Sequence, residues 1–305
     1  MDPNTYLAIV NPAAGRGRAR SLLGPVVDRL RAAGLQIDIR ETSRSSQAAD
    51  LARAAWNEGY RKFISGGGDG TSFEVVNGLF PLTNNSQPAT LGFLPFGTGN
   101  SFLRDFTNRG SDYSTNQAIE SLIAGRARKC DVLRLRHKDG VLYYINILSI
   151  GFSADVATLR SRRFSKWGEA GYQAAIFLCL ARFRRRPFPL GADDDQNIDR
   201  RDCLFLTFNN SKFTGGTMMI APTADTNDGL IEYVRWGPIG RLGLIRNLPG
   251  LYDGTHIQHP LAEVRKVRRV DFHLDAPVDV MIDGEVITLD CQTLDVLPGA
   301  LTIVV

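Results

Sequence analysis

The stretch that most constrains the fold is residues 65–78, SGGGDGTSFEVVNG, which joins a buried-strand pattern to a helix pattern. Residues 61–64 predict a short strand, and the apolar spacing of residues 71–79 predicts the helix that follows. Between them lie four glycines, Gly66, Gly67, Gly68 and Gly70. Such a turn leaves backbone N–H groups open to an anion at the positive end of the helix dipole.

Two side chains in this turn favour phosphate chemistry over a plain connection. A carboxylate would repel a bare phosphate, so Asp69 fits if Mg²⁺ lies between them or if it accepts a proton from a hydroxyl group. The Thr71 hydroxyl can contact a phosphate or cap the helix. Gly-rich turns are common in α/β proteins. This one is no Walker A loop, since no Lys follows its last glycine, and it lacks the dinucleotide spacing.

Two further glycine-containing turns follow predicted strands. The buried-type strand Tyr6–Val10 runs into NPAAGRG at residues 11–17, and the strand at 91–96 runs into GTGNS at residues 97–101. Ligands of open parallel sheets bind outside the carboxyl ends of the strands. We therefore expect the three turns to line one crevice.

Three segments follow one another along the chain: NPAAGRG, GGDGTSFEVVNG and LGFLPFGTGNSF. In their order and spacing they resemble the diacylglycerol kinase catalytic domain of bacterial lipid kinases and of sphingosine and ceramide kinases. APTADTNDGLIEYV and VMIDGEVI are similar to later signatures of that family, so the resemblance covers nearly the full chain. The GGDGT core is shared with NAD kinases and, more loosely, with phosphofructokinases. The GTGN turn and the late DGE favour the lipid-kinase branch.

The pattern of the chain changes near Lys129. Before it, strands alternate with helices, and Ser114 with Gln117 three residues on predicts a capping box at the start of one helix. This alternation predicts an α/β domain with a parallel sheet and flanking helices. After it, period-two alternation predicts antiparallel β structure, including one strand over residues 141–150. The resemblance implies a nucleotide-binding domain at 1–128, a β-sandwich domain for the lipid substrate at 129–295, and an active site in the cleft between them. In such folds the last strand, about 296–305, can return to the first domain.

The resemblance also implies roles for individual residues. The nucleotide is expected to contact Asn11, Thr42, Gly67, Gly68, Asp69, Gly70, Thr71 and Thr98. Thr42 has an alternative as a cap for the helix predicted at residues 47–57. The carboxylate of Glu285 is implied to be the general base, so catalysis is expected to depend on Glu285 and Asp69. An Asp-Gly hairpin turn is the alternative explanation for Asp283 and Gly284.

A second acidic cluster contains Asp225, Asp228 and the backbone carbonyl of Leu230, which together suit a hard cation. The resemblance implies a structural Mg²⁺ there, and a plain Asn-Asp-Gly turn is the alternative. Ser101 stands where many family members carry Asp. That difference leaves the subfamily open, together with one interaction near the phosphates.

Composition and charge bear on partners and location. The four cysteines are scattered, which favours a reducing cytosol. No apolar stretch approaches the ~20 residues that cross a bilayer. Lipid contact is therefore expected to be peripheral, at the inner face of the membrane.

Residues 160–186 carry eight Arg or Lys residues against Glu169, around an apolar centre. This segment either lies on an anionic membrane or is a core helix with solvated basic ends.

These observations predict an ATP-dependent and Mg²⁺-dependent lipid kinase that acts on the hydroxyl group of a diacylglycerol-like or sphingoid lipid. One alternative is an NAD kinase-like enzyme that phosphorylates a soluble dinucleotide. Another is a catalytically silent lipid-binding protein. Basic and aromatic residues are not organised along one element, so no nucleic acid partner is expected. The sequence leaves open the identity of the lipid and whether the chain forms a homodimer.

Overall fold

The computed structural model describes residues 5–44, 46–83, 87–159, 163, 178–179, 185–193, 195 and 197–305. Most of the basic segment predicted at 160–186 lies outside the described residues. The chain divides into two compact units. Unit 1 contains residues 1–132 and 297–305, and unit 2 contains residues 133–296.

Unit 1 is built on a parallel sheet, which confirms the predicted α/β fold. Its strands are β1 (Tyr6–Val10), β2 (Ile37–Glu41), β3 (Lys62–Gly67), β4 (Thr90–Pro95) and the end of β19 (Cys291–Val304). They lie in the order β2-β1-β3-β4-β19, and each neighbouring pair is parallel. The side chains of β1 are all buried, as expected for a strand covered on both faces.

Helices accompany this sheet: α1 (Arg18–Ala32), α2 (Gln47–Asn57), α3 (Asp69–Leu79) and α4 (Thr115–Ala124). Helix α1 buries Leu23, Val27 and Leu30 on one face. The predicted capping box of α4 is confirmed, because the Gln117 N–H donates to Ser114 Oγ and the Ser114 N–H donates to Gln117 Oε1. Short 3₁₀ helices lie at Ala14–Gly17, Phe102–Phe106, Asn108–Gly110 and Thr255–Gln258.

Unit 2 consists mainly of antiparallel strands. One sheet has the order β15 (Ala262–Val267), β14 (Ile231–Trp236), β11 (Phe205–Asn209), β7 (Ile147–Gly151), β17 (Val278–Ile282) and β18 (Glu285–Leu289). Other antiparallel pairs are formed by β5 (Ala127–His137), β6 (Gly140–Tyr144), β9 (Leu190–Ala192), β16 (Arg269–Phe272) and the first part of β19. Short strands are β8 (Arg186–Pro187), β10 (Asp202–Cys203), β12 (Phe213–Thr214) and β13 (Met218–Met219).

The core of unit 2 lies between two layers of strands. Phe208 of β11 stacks on Tyr233 of β14, with ring centroids 5.4 Å apart, and meets the edge of Phe272 from β16 at 5.5 Å. This packing confirms the predicted β-sandwich. The helices of unit 2 are α5 (Phe152–Leu159), α6 (Arg241–Asn247) and α7 (Gly250–Asp253). Within the described part of the chain, no helix has the length and apolar character needed to cross a membrane.

One expectation for unit 2 is wrong. Period-two alternation predicts a single strand over residues 141–150, whereas the structure has two strands, β6 and β7, separated by Ile145 and Asn146. The N–H groups of these two residues donate to the Asp283 carboxylate rather than to a neighbouring strand. This long-range contact ends the first strand and turns the chain into the second.

Candidate active site

The strand order of unit 1 determines where a ligand can bind. From β1 the chain winds outward to β2 and then crosses to the opposite side of β1 to form β3. The winding direction therefore reverses between β1 and β3, and crevices in open α/β sheets form at the carboxyl ends of such strand pairs. The first residue after β1 contacts the end of β3 there, because the Asn11 N–H donates to the Gly66 carbonyl at 2.9 Å.

The turn after β4 is in backbone contact with the end of β3 and with Gly68, the residue that follows it. The Gly97 N–H donates to the Gly67 carbonyl at 2.9 Å. A Cβ atom on Gly97 would lie 2.4 Å from the Gly68 Cα atom, and one on Gly67 would lie 2.2 Å from Thr71 Oγ1. Neither approach is possible with a side chain, so these positions require glycine.

The turn after β1 approaches the turn after β4 in the same way. A Cβ atom on Gly15 would lie 2.3 Å from the Phe96 carbonyl oxygen. Gly15, Arg16 and Gly17 all have left-handed backbone, with φ values of 60°, 60° and 88°. For the non-glycine Arg16 this conformation is uncommon, and such strain concentrates at functional sites. Three glycine turns thus meet at one edge of the sheet, as predicted.

Asp69 occupies the first turn of α3, and its carboxylate faces the turn after β4. The helix begins at Asp69, two residues earlier than the apolar spacing predicts, with Gly68 as its N-cap residue. The Ser101 N–H donates to Asp69 Oδ2 at 2.9 Å. Burial raises the pKa of Asp69 above its ordinary value of 3.8, and hydrogen bonds from Ser101 and Phe102 oppose this rise. Asp69 therefore combines a poorly hydrated carboxylate with fixed orientation.

Ser101, where the resemblance leads us to expect Asp, is buried beside this carboxylate. Its side-chain hydroxyl and its backbone N–H both hydrogen-bond Asp69, and both lower the pKa of that residue. A carboxylate at position 101 would place a second negative charge against Asp69. With Ser101 in this chain, Asp69 therefore receives a hydrogen bond where a second carboxylate would repel it.

Thr42 and Thr98 lie at the same edge of the sheet. The Thr42 N–H donates to the Val10 carbonyl at 2.9 Å, directly after β2, and Thr98 is exposed in the turn after β4. The alternative role of Thr42 as a helix cap is not met. Helix α2 has Ser46 at its N-cap, and Glu74 of α3 accepts hydrogen bonds from N–H groups at this helix start.

The DGE segment lies in unit 2, in the hairpin between β17 and β18. Asp283 and Gly284 have φ values of 47° and 91°, as in the expected Asp-Gly turn. The turn does not account for the burial of Asp283, whose carboxylate accepts hydrogen bonds from the N–H groups of residues 145–147. These bonds fix the hairpin, and Glu285, the first residue of β18, is exposed beside it.

The acidic cluster also lies in unit 2. Asp225 Oδ1 accepts the Asn227 N–H, and Asp228 Oδ1 accepts the Leu230 N–H, both at 3.0 Å. Asp228 Oδ2 accepts a hydrogen bond from Lys266 Nζ at 2.6 Å, and this contact raises the pKa of Lys266. In this arrangement an ammonium group already lies where a divalent cation would bind Asp228. Among the described residues, no group of three or more His, Cys, Asp or Glu side chains could hold a metal ion.

The expected nucleotide-binding residues are thus gathered at the carboxyl edge of one parallel sheet. They belong to unit 1, whereas Glu285, Asp225, Asp228 and Leu230 belong to unit 2. Gly15 and Gly97 were not singled out by the sequence, although both are required for the close approach of the turns. The signal for Gly97 was present in the GTGN turn. The side-chain bond from Ser101 to Asp69 has no sequence signal, since it joins residues on different turns.

Two family profiles match the chain and together span almost all of it. The diacylglycerol kinase catalytic domain matches residues 5–135. The YegS C-terminal NAD kinase beta sandwich-like domain matches residues 146–305, more than half of the chain.

Individual proteins agree with these profiles. A diacylglycerol kinase of Mycobacterium tuberculosis is 28% identical over 298 residues, which cover 97% of this chain and 93% of that protein. Sphingosine kinase 1 of Arabidopsis thaliana is 25% identical over 93% of this chain and 69% of its own length. A crystal structure of a diacylglycerol kinase from Bacillus anthracis has a TM-score of 0.73 at 20% identity, covers 100% of this chain and 97% of that one, and shares the fold.

Replacing Asp69 with Asn is expected to stabilise the protein at pH 7. Because folding raises the pKa of Asp69, the folded state disfavours the charged carboxylate. The contribution of Asp69 to stability is therefore most favourable below its ordinary pKa, falls as pH rises through the folded pKa, and stays unfavourable at pH 7. Asn removes that cost and keeps an oxygen for the Ser101 N–H. Thermal unfolding monitored by circular dichroism should show a higher midpoint.

Asp28→Asn is the matched control, because Asp28 is exposed on α1 in the same unit. Its midpoint should stay close to that of the parent. A lower midpoint for Asp69→Asn than for Asp28→Asn would contradict the proposed cost of burying the Asp69 charge.

Proposed function

Because the chain belongs to the lipid kinase family that joins a diacylglycerol kinase catalytic domain to a YegS C-terminal NAD kinase beta sandwich-like domain, we propose that it transfers the γ-phosphate of ATP to the hydroxyl group of a diacylglycerol-like or sphingoid lipid. The observation that carries this proposal is the meeting of three glycine turns around Asp69 at the switch point of the sheet. Named relatives act on both lipid classes, as their names state.

The turn after β3 binds the phosphates in this proposal. The first backbone N–H groups of a helix have no partner inside the helix, and the glycine N-cap of α3 offers them no side-chain acceptor. Gly67, Gly68 and Gly70 keep these donors accessible, and the buried Thr71 lies at the same helix start. Asn11, Thr42 and Thr98 contact the remainder of the nucleotide from the neighbouring strand ends.

Asp69 is the residue that would hold Mg²⁺ with the nucleotide. Its carboxylate is an oxygen ligand of the kind that Mg²⁺ prefers, and its poor hydration favours a cation partner. When bound, Mg²⁺ neutralises charge on the triphosphate. The hydrogen bonds from Ser101 then fix the direction in which the carboxylate points.

Glu285 accepts the proton of the lipid hydroxyl in this proposal. Its position follows from Asp283, which anchors the hairpin to residues 145–147. An exposed carboxylate on an anchored hairpin is accessible to a substrate and limited in its motion. A general base of this kind contributes about 10²–10⁴-fold to a rate.

Glu285→Gln and Asp69→Asn should each lower kcat at least about 100-fold, because a proton acceptor or a phosphate-site carboxylate is lost. The assay measures phosphate transfer from labelled ATP with Mg²⁺ to dioleoylglycerol, sphingosine or ceramide in detergent micelles, and to NAD. The parent protein should label a lipid and leave NAD unlabelled.

Glu120→Gln, an exposed change on α4, is the matched control and should retain parental activity. Full activity of Glu285→Gln would exclude the assigned general base. Labelling of NAD alone would favour the dinucleotide kinase, and vesicle binding without any transfer would favour the silent lipid-binding protein.

We propose that Asp225, Asp228 and Leu230 form a cation site. In the present arrangement the Lys266 ammonium group occupies this site. A divalent metal binds there only if the Lys266 ammonium group leaves Asp228 Oδ2. This requirement follows from the 2.6 Å contact, since one carboxylate oxygen cannot hold both cations at that distance.

Lys266→Met should therefore create a Mg²⁺-dependent stability that the parent lacks. Thermal unfolding in Mg²⁺ and in EDTA should give one midpoint for the parent and two for the variant, with the higher one in Mg²⁺. Asp228→Asn added to Lys266→Met should abolish the difference. A Mg²⁺-dependent midpoint in the parent, lost with Asp228→Asn, would show instead that metal displaces Lys266.

The enzyme is proposed to work in the cytoplasm and to contact the inner face of the membrane peripherally. The membrane contact expected from residues 160–186 falls mostly outside the described residues. A homodimer is also a proposal, which light scattering on the purified protein can test.

A further inference from the structure

Helix α6 exposes large aliphatic side chains to solvent. Leu242 is 83% exposed and Ile245 is 48% exposed, although Leu244 between them is fully buried in the core of unit 2. Residues three apart share one face of a helix, so Leu242 and Ile245 form a single apolar spot. Helices normally turn such residues inward, and here two exposed aliphatic side chains lie together on one helix face rather than singly.

Arginine side chains border this apolar spot on both sides. Arg241 and Arg246 are exposed, and each lies four residues from one of the two aliphatic side chains, on the same helix face. Arg185 is also exposed, and its Nη2 atom lies 3.5 Å from a Cβ atom built on Gly240, at the start of the helix. We call these five residues, Arg185, Arg241, Leu242, Ile245 and Arg246, the α6 surface.

The charged side chains of helix α6 are arginines. Helix α6 itself, RLGLIRN, contains no carboxylate. Asp253 of α7 is exposed, but its Oδ1 atom accepts hydrogen bonds from the N–H and hydroxyl groups of Thr255. The ionisable side chains of α6 itself are therefore all basic.

This combination favours an anionic bilayer as the partner. Apolar side chains bordered by basic residues are typical of helices that lie in a membrane interface, where arginine stems cover the apolar surface and guanidinium groups meet lipid phosphates. A second copy of this chain fits poorly, because a symmetric interface would set the arginines of one copy against those of the other. Charge complementarity thus favours an anionic surface over contact with a second copy.

We propose that the α6 surface docks the protein on anionic lipid bilayers, with Leu242 and Ile245 inserted at the headgroup level and the three arginines on lipid phosphates. The inference rests on the proposed function, because a lipid acceptor resides in a bilayer. It adds a docking surface distinct from the residues that bind nucleotide or accept the proton.

The test is sedimentation of the full chain with vesicles. The parent should bind vesicles of equimolar phosphatidylcholine and phosphatidylglycerol and bind pure phosphatidylcholine weakly. Leu242→Glu with Ile245→Glu should lower the partition coefficient at least about tenfold. Ile123→Glu with Val141→Glu is the control, because both residues are 41% exposed and the charge change is equal. It should bind like the parent.

A second pair of variants tests the arginines. Arg241→Gln with Arg246→Gln should weaken binding to anionic vesicles and flatten its salt dependence. The proposal would be overturned if the Leu242→Glu/Ile245→Glu variant and its control bound vesicles equally well. It would also be overturned if the parent protein did not bind anionic vesicles. A dimer that the Glu pair converts to a monomer in light scattering would assign the surface to a second copy of this chain, and would also overturn the proposal.

Activity separates this inference from the proposed function. With lipid in detergent micelles, the Glu pair should match the parent, and with lipid in anionic vesicles it should be at least about tenfold slower. A parent inactive in micelles would contradict the kinase, whatever the vesicles show. Equal slowing in both assays would overturn the docking role.

Discussion

The candidate site depends on the backbone contact between Gly97 and the Gly67–Gly68 peptide. Because none of these residues carries a side chain, the turn after β4 lies directly on the turn after β3, with a hydrogen bond of 2.9 Å between them. That contact brings Ser101 within hydrogen-bond distance of Asp69. A methyl group at position 97 would separate the turns, and the same displacement would remove the partner that orients the carboxylate.

Two aspartates in glycine turns have opposite environments, and their proposed roles differ accordingly. Asp283 is buried and accepts three backbone N–H groups, so its carboxylate is fully used in holding a hairpin. Burial dominates at Asp69, and its pKa is raised despite the hydrogen bonds from Ser101 and Phe102. A carboxylate that folding leaves poorly stabilised is the one that gains most from a cation ligand. We therefore propose a catalytic role for Asp69. For Asp283 we propose a structural role, which is to hold the hairpin that carries Glu285.

Local patterns predicted the parts of the structure that depend on local interactions. Strand and helix alternation, the capping box of α4 and the Asp-Gly hairpin are each encoded within a few residues, and each was expected from the sequence. The glycine turns were also recognisable, and their meeting followed from the general rule for parallel sheets. The candidate nucleotide residues could therefore be named before their arrangement was known.

Features made by distant residues could not be predicted in this way. The break between β6 and β7 depends on Asp283, which is more than 130 residues away. The start of α2 is capped by Glu74 of α3, and Asp228 is paired with Lys266 of β15. Each contact joins side chains that no short pattern relates. The exposure of Leu242 could not be predicted either, because the spacing of apolar residues in a helix does not show which face other elements cover.

Calorimetric titration of ATP with Mg²⁺ into Gly97→Ala tests the central claim most directly, with Gly24→Ala as control because a Cβ atom there meets nothing within 4 Å. The prediction is that Gly97→Ala loses at least about tenfold in ATP affinity while circular dichroism shows that it is folded. The control Gly24→Ala should bind ATP like the parent. Equal ATP affinity for the folded Gly97→Ala protein and the parent would contradict it.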